Sequence, residues 1–276
     1  MNRPAPTTVI DGRNRALDFG LSELREYREL FFFLVWRDIK GRYAQSILGV
    51  GWAVIQPMVS MVVFTVIFGG LASLDSDGVP YAVFSYAALV PWTYFQNALT
   101  DSTGSLVKDK GMVQKIYFPR LILPGAAVIG RLVDFVIAFA LMGGFLIWFS
   151  ITPTVWALAL PYFILLMMAS AAGLGMWLGA LAIQYRDVKY GLSFAIQLFM
   201  YAAPVVYPVS YIPEQYRLLY ALNPMVGVIE GFRASLLGTT AMPWDLIGVS
   251  TVTATLILLG GAAYFRKKER VFADVA

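Results

Sequence analysis

The longest uncharged stretch of the chain runs from Phe135 to Tyr185, 51 residues without Asp, Glu, Lys or Arg. A transmembrane helix needs about 20 consecutive apolar residues, so this stretch is long enough for two crossings. The sequence SITPT, Ser150 to Thr154, lies inside it and is suited to joining two helices. The stretch therefore predicts two transmembrane helices joined at Ser150 to Thr154.

The composition extends this prediction to the whole chain. Of its 276 residues, 59% are hydrophobic and 14% are charged, against roughly 25% charged residues in soluble domains. This excludes ordinary nucleic-acid-binding domains and almost all soluble enzymes. There is no cysteine and no histidine, which excludes zinc–thiolate sites, disulfides and Cys or His nucleophiles. We predict no metal site and no cofactor.

The hydropathy pattern predicts an all-α membrane protein with six transmembrane helices within residues 47–270. The predicted spans are Ile47 to Leu74, Val79 to Thr100, Leu121 to Phe149, the second half of the uncharged stretch, Leu192 to about Val206, and Leu246 to Phe265. Arg131 and Asp134 lie three residues apart near the start of span three, so they share a helical face and can pair.

The segment before the first span contains no long apolar run. Residues 1–20 predict a cytoplasmic leader without a signal-peptide pattern. Residues 21–46 predict an amphipathic helix in the plane of the membrane interface. Its predicted apolar face consists of Leu21, Leu24, Tyr27, Phe31, Leu34, Val35 and Ile39.

Lys and Arg are distributed very unequally between alternate loops. The leader and interface helix, the loops after spans two and four, and the C-terminal region hold 18 of them, whereas the opposite loops hold two, Arg217 and Arg233. The positive-inside rule then places both termini in the cytoplasm, with residues 271–276 as a cytoplasmic tail.

The stretch 207–237, before the last span, is too apolar for a free loop. Its prolines exclude a continuous helix, so we predict short re-entrant helices, the second opened by Asn223-Pro224 and closed by Gly238. Tyrosines are large and amphipathic enough to close the mouth of a pore. The predicted external gate consists of Tyr207, Tyr211, Tyr216 and the pair Glu230 and Arg233. The alternative is a membrane-surface hairpin anchored by tyrosines.

Sequence motifs for catalysis are missing. There is no G-x-x-x-x-G-K-[ST], so the chain has no phosphate loop of its own. The two G-x-G strings, Gly49 to Gly51 and Gly173 to Gly175, are predicted to lie inside apolar helices, where they allow close helix packing rather than phosphate binding. We therefore predict a subunit that is not an enzyme.

Five separated strings resemble, in order, the permeases of type-2 ABC exporters for polysaccharides and polyol phosphates. They are RDIKGRYAQSILGVGWAVIQP (37–57), LVPWTYFQNAL (89–99), KGMVQKIYFPRLILP (110–124), YRDVKY (185–190) and LNPMVGVIEGFR (222–233). O-antigen and teichoic-acid exporters look most similar. The resemblance implies a homodimer in the bacterial inner membrane, two copies of a separate ATPase subunit that hydrolyses ATP, and a lipid-linked polysaccharide as substrate. It also implies a channel at the dimer interface, lined by spans one and five.

Three groups of residues are candidates for this transport function. In the cytoplasmic loop 105–118 and just after it, the residues predicted to couple to the ATPase are Gly111, Lys115, Tyr117, Phe118 and Arg120. The predicted channel lining is Trp52, Gln56, Phe64, Phe68, Phe194, Gln197, Phe199 and Tyr201, because aromatic rings stack on the apolar faces of sugars and amides bind their hydroxyls. Arg37, Lys40 and Arg42 are predicted to receive the lipid pyrophosphate, although attraction to anionic lipid headgroups would explain the same charges.

Two other functions remain open on the sequence alone. One is a type-2 ABC exporter of drugs or small lipids. The other is a polytopic membrane sugar transferase, which the missing histidine and the dispersed carboxylates disfavour.

Overall fold

The computed structural model describes residues 25–44 and 49–275. The predicted leader and the first residues of the predicted interface helix, including Leu21 and Leu24, lie outside the described residues. All regular elements of the described part are helical, as predicted. In chain order they are α1 (Arg28–Tyr43), α2 (Gly51–Phe64), α3 (Tyr81–Lys108), α4 (Lys110–Lys115), α5 (Ile122–Gly130), α6 (Leu132–Trp148), α7 (Leu160–Ala182), α8 (Asp187–Tyr201), α9 (Glu214–Tyr220), α10 (Pro224–Leu236) and α11 (Trp244–Val275). A π-helical segment, Thr65–Leu71, continues α2, and single 3-10 turns precede α7 and α9.

Four segments of the described chain are long and apolar enough to cross a membrane. They are Gly51–Leu71, Ile122–Trp148, Val155–Ala182 and Trp244–Glu269, and they coincide with predicted spans one, three, four and six. The 51-residue uncharged stretch contains α7 and all but the first three residues of α6, with a non-helical connection at residues 150–154, so the two predicted helices and their connection are present.

The other two predicted spans are helices of very different length. The second is α3, with 28 residues. The fifth is α8, which begins earlier and ends earlier than predicted and has 15 residues. At 1.5 Å per residue α8 is only about 22 Å long, whereas the hydrocarbon core of a bilayer is about 30 Å thick.

Helix α3 is the centre of the bundle. It packs against α2, α5, α6, α7 and α10, and its side chains are buried along nearly the whole length. Phe84, Tyr86 and Trp92 are no more than 1% exposed. The hydroxyls of Tyr86 and Tyr94 donate to the carbonyls of Ala138 and Val128, at 3.0 and 2.9 Å, which fixes α3 to α6 and α5.

The glycines of the second G-x-G string allow helices to pack closely, as predicted. A Cβ atom on Gly173 would lie 2.7 Å from the Cα atom of Leu258, so α7 and α11 touch backbone to backbone. A Cβ atom on Gly175 would lie 2.5 Å from the Cβ atom of Ser102, so α7 also packs closely on the Ser102 side chain of α3. The prediction was wrong for Gly49, which lies in a turn before α2 with a φ of 46°.

The apolar face predicted for the interface helix contacts protein. Leu34 is fully buried, and Phe31 and Val35 pack beside it on a second core that contains Phe118 and Phe265. A different face of α1 carries exposed aromatic side chains: Phe32, Phe33 and Trp36. The helix is therefore apolar on two sides, one for the protein body and one free to meet lipid.

The connections between helices gather at two ends of the bundle. One end, which we call the basic end, holds α1, α4, the start of α8 and the basic part of α11, since Arg120 contacts Glu269 and Lys189 shares a cavity with Asp38. The far end holds the connection 72–80, the turn 150–154 and the stretch 202–243, which meet in the bonds of Asp75 to Tyr211 and of Thr154 to Ser235.

Candidate functional site

At the basic end, α1 is tied to the end of α3 by an ion-pair cluster that we call the first staple. Arg37 Nη2 donates to Asp109 Oδ2 at 2.7 Å, and Lys108 Nζ lies 2.9 Å from Asp38 Oδ1. Burial lowers the pKa of Arg37, but the hydrogen bond and the charge of Asp109 outweigh it, and the net effect raises that pKa. Arg37 therefore stays charged.

A second staple ties the end of α1 to α6 and α3. Arg42 Nη1 donates to Asp134 Oδ2 at 2.9 Å, and its Nη2 donates to the Gly130 carbonyl at 2.6 Å. Asp134 also accepts from Arg131 Nη1 at 2.9 Å, and Arg131 Nε donates to Asp101 Oδ2 at 2.6 Å. The predicted pair of Arg131 and Asp134 is thus present, inside a larger network.

Tyr43 completes the second staple. Its hydroxyl donates to Asp134 Oδ1. Burial, and then the hydrogen bond to that carboxylate, raise the pKa of Tyr43 to about 12. The phenol therefore stays protonated at physiological pH and keeps its role as a donor.

The staples change the interpretation of the three cations predicted to receive a pyrophosphate. Arg37 and Arg42 are already bound to carboxylates of α3 and α6. Lys40 is exposed. Its side chain takes part in none of the ion pairs found within the described side chains, those of residues 25–44 and 49–269. Of the three, Lys40 is the cation that the structure leaves available.

The predicted coupling loop is shorter than its sequence bounds, because α3 continues to Lys108 and α4 follows almost directly. Gly111, Lys115 and Tyr117 are exposed, Tyr117 by 68%. Phe118 is 2% exposed and belongs to the core beneath α1. The Arg120 backbone amide donates to Glu269 Oε1 at 2.8 Å. The first part of this segment is therefore exposed, whereas Phe118 and Arg120 fix its end to the bundle.

The residues predicted to line a channel divide into two groups. Exposed side chains of α2 and α8 are Trp52, Gln56, Phe194, Gln197, Phe199 and Tyr201. Phe64 and Phe68 instead pack against the main core and against each other, edge to face, with centroids 5.6 Å apart. The structure thus brings six of the eight to exposed surfaces of the two helices.

At the far end, the predicted pair of Glu230 and Arg233 is deeply buried. The two side chains are 7% and 1% exposed, and Arg233 Nη1 lies 3.0 Å from Glu230 Oε1. Arg233 Nη2 donates to the Val205 carbonyl at 3.0 Å, and its guanidinium lies 3.6 Å from the centroid of the Phe84 ring. Arg233 therefore binds α10, α3 and the irregular segment after α8 together.

Other side chains hold the same irregular segment. The Tyr81 hydroxyl donates to the Val206 carbonyl at 2.5 Å, and Asn223 Nδ2 donates to the Ala202 carbonyl at 3.0 Å. The Tyr207 hydroxyl bonds to the Tyr201 carbonyl at 2.7 Å. Carbonyls of this broken backbone are thus satisfied by side-chain donors.

The three predicted gate tyrosines have different surroundings. Tyr207 is half-buried, and its hydroxyl lies 3.0 Å from that of Tyr220. Tyr211 is 49% exposed and accepts a hydrogen bond from the Asp75 backbone amide at 3.0 Å. Tyr216, on α9, is 53% exposed.

Sequence reasoning missed the carboxylates of the staples. Asp38, Asp101 and Asp109 are separated by up to 72 positions from the residues that they bind, so no local pattern reveals the pairing. One signal was available, since isolated charges at the ends of membrane helices need partners. No group of metal-ligating side chains is found among the described residues.

A bundle of apolar helices, in which four described segments are long enough to cross a bilayer, defines a polytopic α-helical membrane protein. The chain belongs to the ABC-2 type transporter family, whose model matches residues 29–237. It is 26% identical to the O-antigen export system permease protein RfbA of Myxococcus xanthus, over 91% of this chain and 97% of the relative. It is 25% identical to an RfbA of Klebsiella pneumoniae, over 90% and 95% of the two chains, and 22% identical to the polysialic acid transport protein KpsM of Escherichia coli, over 87% and 94%.

Proposed function

We propose that this chain is the permease subunit of an ATP-driven exporter that moves a lipid-linked polysaccharide across the bacterial cytoplasmic membrane. It works as a homodimer with two copies of a separate ATPase subunit. Two of its relatives are named for O-antigen export and for polysialic acid transport, and these names support this substrate class. Six crossings with both termini in the cytoplasm agree with the clustering of basic residues at one end.

The uncovered faces of α2 and α8 carry the proposal. In the most apolar window of Gly51–Leu71 only 11% of residues are buried, against 33% to 39% in the other three spans. On α8, Phe194 and Tyr201 are 65% and 55% exposed. A second protomer would cover part of these faces and leave the rest around a channel, where aromatic rings and amides bind a sugar chain weakly at many points.

The basic end has two roles in the proposal. Gly111, Lys115 and Tyr117 meet the ATPase, while Phe118 and Arg120 anchor this segment to the bundle. The lipid pyrophosphate enters beside α1, where exposed Lys40 contacts it. Phe32, Phe33 and Trp36 hold α1 at the surface of the bilayer, where aromatic side chains are favourable.

The far end acts as the external gate in the proposal. Tyr211 joins the connection 72–80 to the segment before α9 through its bond to Asp75. Replacing Tyr211 by Ala should raise ion conductance through the resting dimer in planar bilayers, without ATP. Tyr162→Ala, at an exposed tyrosine of α7, is the matched control. Unchanged conductance of the folded Tyr211 variant would favour the alternative of a surface anchor.

The decisive experiment deletes the gene in its host and measures surface polysaccharide and intracellular polymer. Deletion should abolish surface polymer and leave lipid-linked polymer inside the cell, and the wild-type gene should restore export. The purified permease should carry an ATPase subunit with it. Normal surface polymer in the deletion strain, or sugar transferase activity in the pure protein, would contradict the proposal.

A further inference from the structure

A cavity of about 200 Å³ lies between α2, α3 and α6, just above the second staple toward the middle of the bundle. Trp52 and Gln56 line it from α2, Thr93 and Asn97 from α3, and Arg131 and Asp134 from the neighbourhood of α6. Pockets for drug-sized ligands measure about 300–1,000 Å³. This cavity, which we call the side pocket, is therefore suited to a single ring rather than to a chain.

The polar side chains of the side pocket call for a polar occupant. The side chains of Gln56, Thr93 and Asn97 take part in none of the hydrogen bonds found within the described residues. All three are at least partly exposed to the cavity or its mouth. At membrane depth an amide without a partner costs several kcal/mol in hydrocarbon. Lipid tails are therefore excluded, and water or a ligand with hydroxyl groups must satisfy these side chains.

The charges at the floor of the pocket disfavour a phosphate. Arg42 and Arg131 line the cavity, but both guanidiniums are bound to Asp134, and Arg131 is also bound to Asp101. A phosphate would have to displace those carboxylates. What remains free is one hydroxyl and two amides, groups that donate to and accept from sugar hydroxyls.

The aromatic and apolar walls complete this complementarity. Trp52 is 55% exposed at the mouth, on the face of α2 that the bundle leaves open. Tyr94 and Phe135, each 3% exposed, are fixed in the wall by packing, and the Tyr94 hydroxyl is already bound to the Val128 carbonyl. Aromatic walls beside polar side chains suit a sugar ring, which has apolar C–H faces and hydroxyls at its edge.

We propose that the side pocket binds one sugar residue of the exported polymer as it passes α2 from the basic end. The inference rests on the proposed function, since it assumes that the face of α2 borders the polymer's path. Asn97 and Thr93 donate to and accept from the sugar hydroxyls, and Trp52 stacks on its ring. The pocket thus holds the leading part of the polymer while the ATPase resets.

The first test removes hydrogen bonding while keeping volume. Asn97→Leu and Thr93→Val are expressed in the deletion strain, with Thr255→Val as the control. Thr255 is exposed, and within the described residues its hydroxyl bonds only to the Thr251 carbonyl of its own helix, at 2.8 Å. The initial rate of polymer appearance should fall about ten-fold for Asn97→Leu, as expected for the loss of one or two hydrogen bonds. Permease level and ATPase association should equal those of the wild type.

The second test detects the occupant directly. A benzoyl-phenylalanine at position 97, and at position 255 as control, is irradiated in exporting cells, and the purified permease is stained for glycan and weighed by mass spectrometry. Glycan on the position-97 protein alone supports the inference. A phospholipid adduct, or no adduct together with a wild-type export rate for Asn97→Leu, overturns it. In those cases the deletion strain still reports separately on the proposed function, which fails only if deletion leaves surface polymer unchanged.

Discussion

Replacing Arg233 by Met tests the idea that a buried cation holds the far end together. The Arg233 side chain is 1% exposed, and its removal leaves Glu230, 7% exposed, without a counter-charge. It also leaves the Val205 carbonyl, bonded at 3.0 Å, without its donor. Removing one partner of a buried ion pair costs about 3–5 kcal/mol. In a chain of this size that corresponds to a fall in melting temperature of roughly 10 °C.

The neighbouring helix offers a matched control. Arg217 and Glu214 are also three residues apart on one helix, but their side chains are 32% and 90% exposed and their nearest atoms lie 3.8 Å apart. Exposed pairs contribute about 0–1 kcal/mol, and the bond of Arg217 Nε to the Ile212 carbonyl, at 2.9 Å, is only partly buried. Arg217→Met should therefore lower the melting temperature far less than Arg233→Met. Both variants are measured in the same detergent by tryptophan fluorescence during heating.

A double variant isolates the charge. Replacing Glu230 and Arg233 together by Met leaves no unpaired ion, so the loss should be smaller than the sum of the two single losses. Additive losses, or equal shifts for Arg233→Met and Arg217→Met, would refute the assignment of Arg233 as the residue that binds α3, α10 and the irregular segment together.

Three further predictions concern the rest of the bundle. Arg37→Asp should lower export per ATP hydrolysed. Adding Asp109→Arg should restore it, because the exchanged charges rebuild the first staple. If export is not restored, a phosphate-binding role for Arg37 is favoured. Tyr117→Ala should weaken ATPase association in pull-down without lowering the melting temperature. Phe118→Ala should lower the unfolding free energy by about 3–5 kcal/mol, because Phe118 is buried. The reverse pattern would contradict the assignment of Tyr117 to ATPase contact and of Phe118 to the core. Gly173→Ala should lower the melting temperature, because the new Cβ atom would lie 2.7 Å from the backbone of Leu258. An unchanged melting temperature would show that α7 and α11 can separate freely.

Local patterns predicted most of the helices, because lipid forces each span to satisfy its own backbone and to be apolar over a fixed length. The pairs Arg131 with Asp134 and Glu230 with Arg233 were equally accessible, since three-residue spacing places both partners on one face. The start of α10 at Asn223, which accepts from the Met225 amide, was also predictable, because Asn followed by Pro is typical of the first residues of a helix.

Properties that depend on the docking of distant helices could not be predicted. The partner of Arg37 lies 72 residues away on α3, and nothing near either residue marks the match. Phe64 and Phe68, predicted to line a channel, are half-buried and pack against the main core, a contact that depends on how α2 and its continuation dock on the bundle. The polar wall formed by Thr93 and Asn97 was overlooked, because two polar side chains within a mostly buried helix give no periodic pattern that marks a cavity.

The shortness of α8 has a consequence for the surrounding lipid. In the proposed orientation, a helix of about 22 Å stands in a hydrocarbon core about 8 Å thicker, and hydrophobic mismatch of this size is relieved by thinning of the adjacent leaflets. The irregular segment after α8 has its carbonyls satisfied by Arg233, Tyr81 and Asn223. Its apolar residues are mostly buried inside the bundle, so it continues the crossing while adding little apolar surface that faces lipid. The lipid beside α8 is then compressed. We therefore expect transport to depend on acyl-chain length and to be fastest in a membrane whose thickness matches α8.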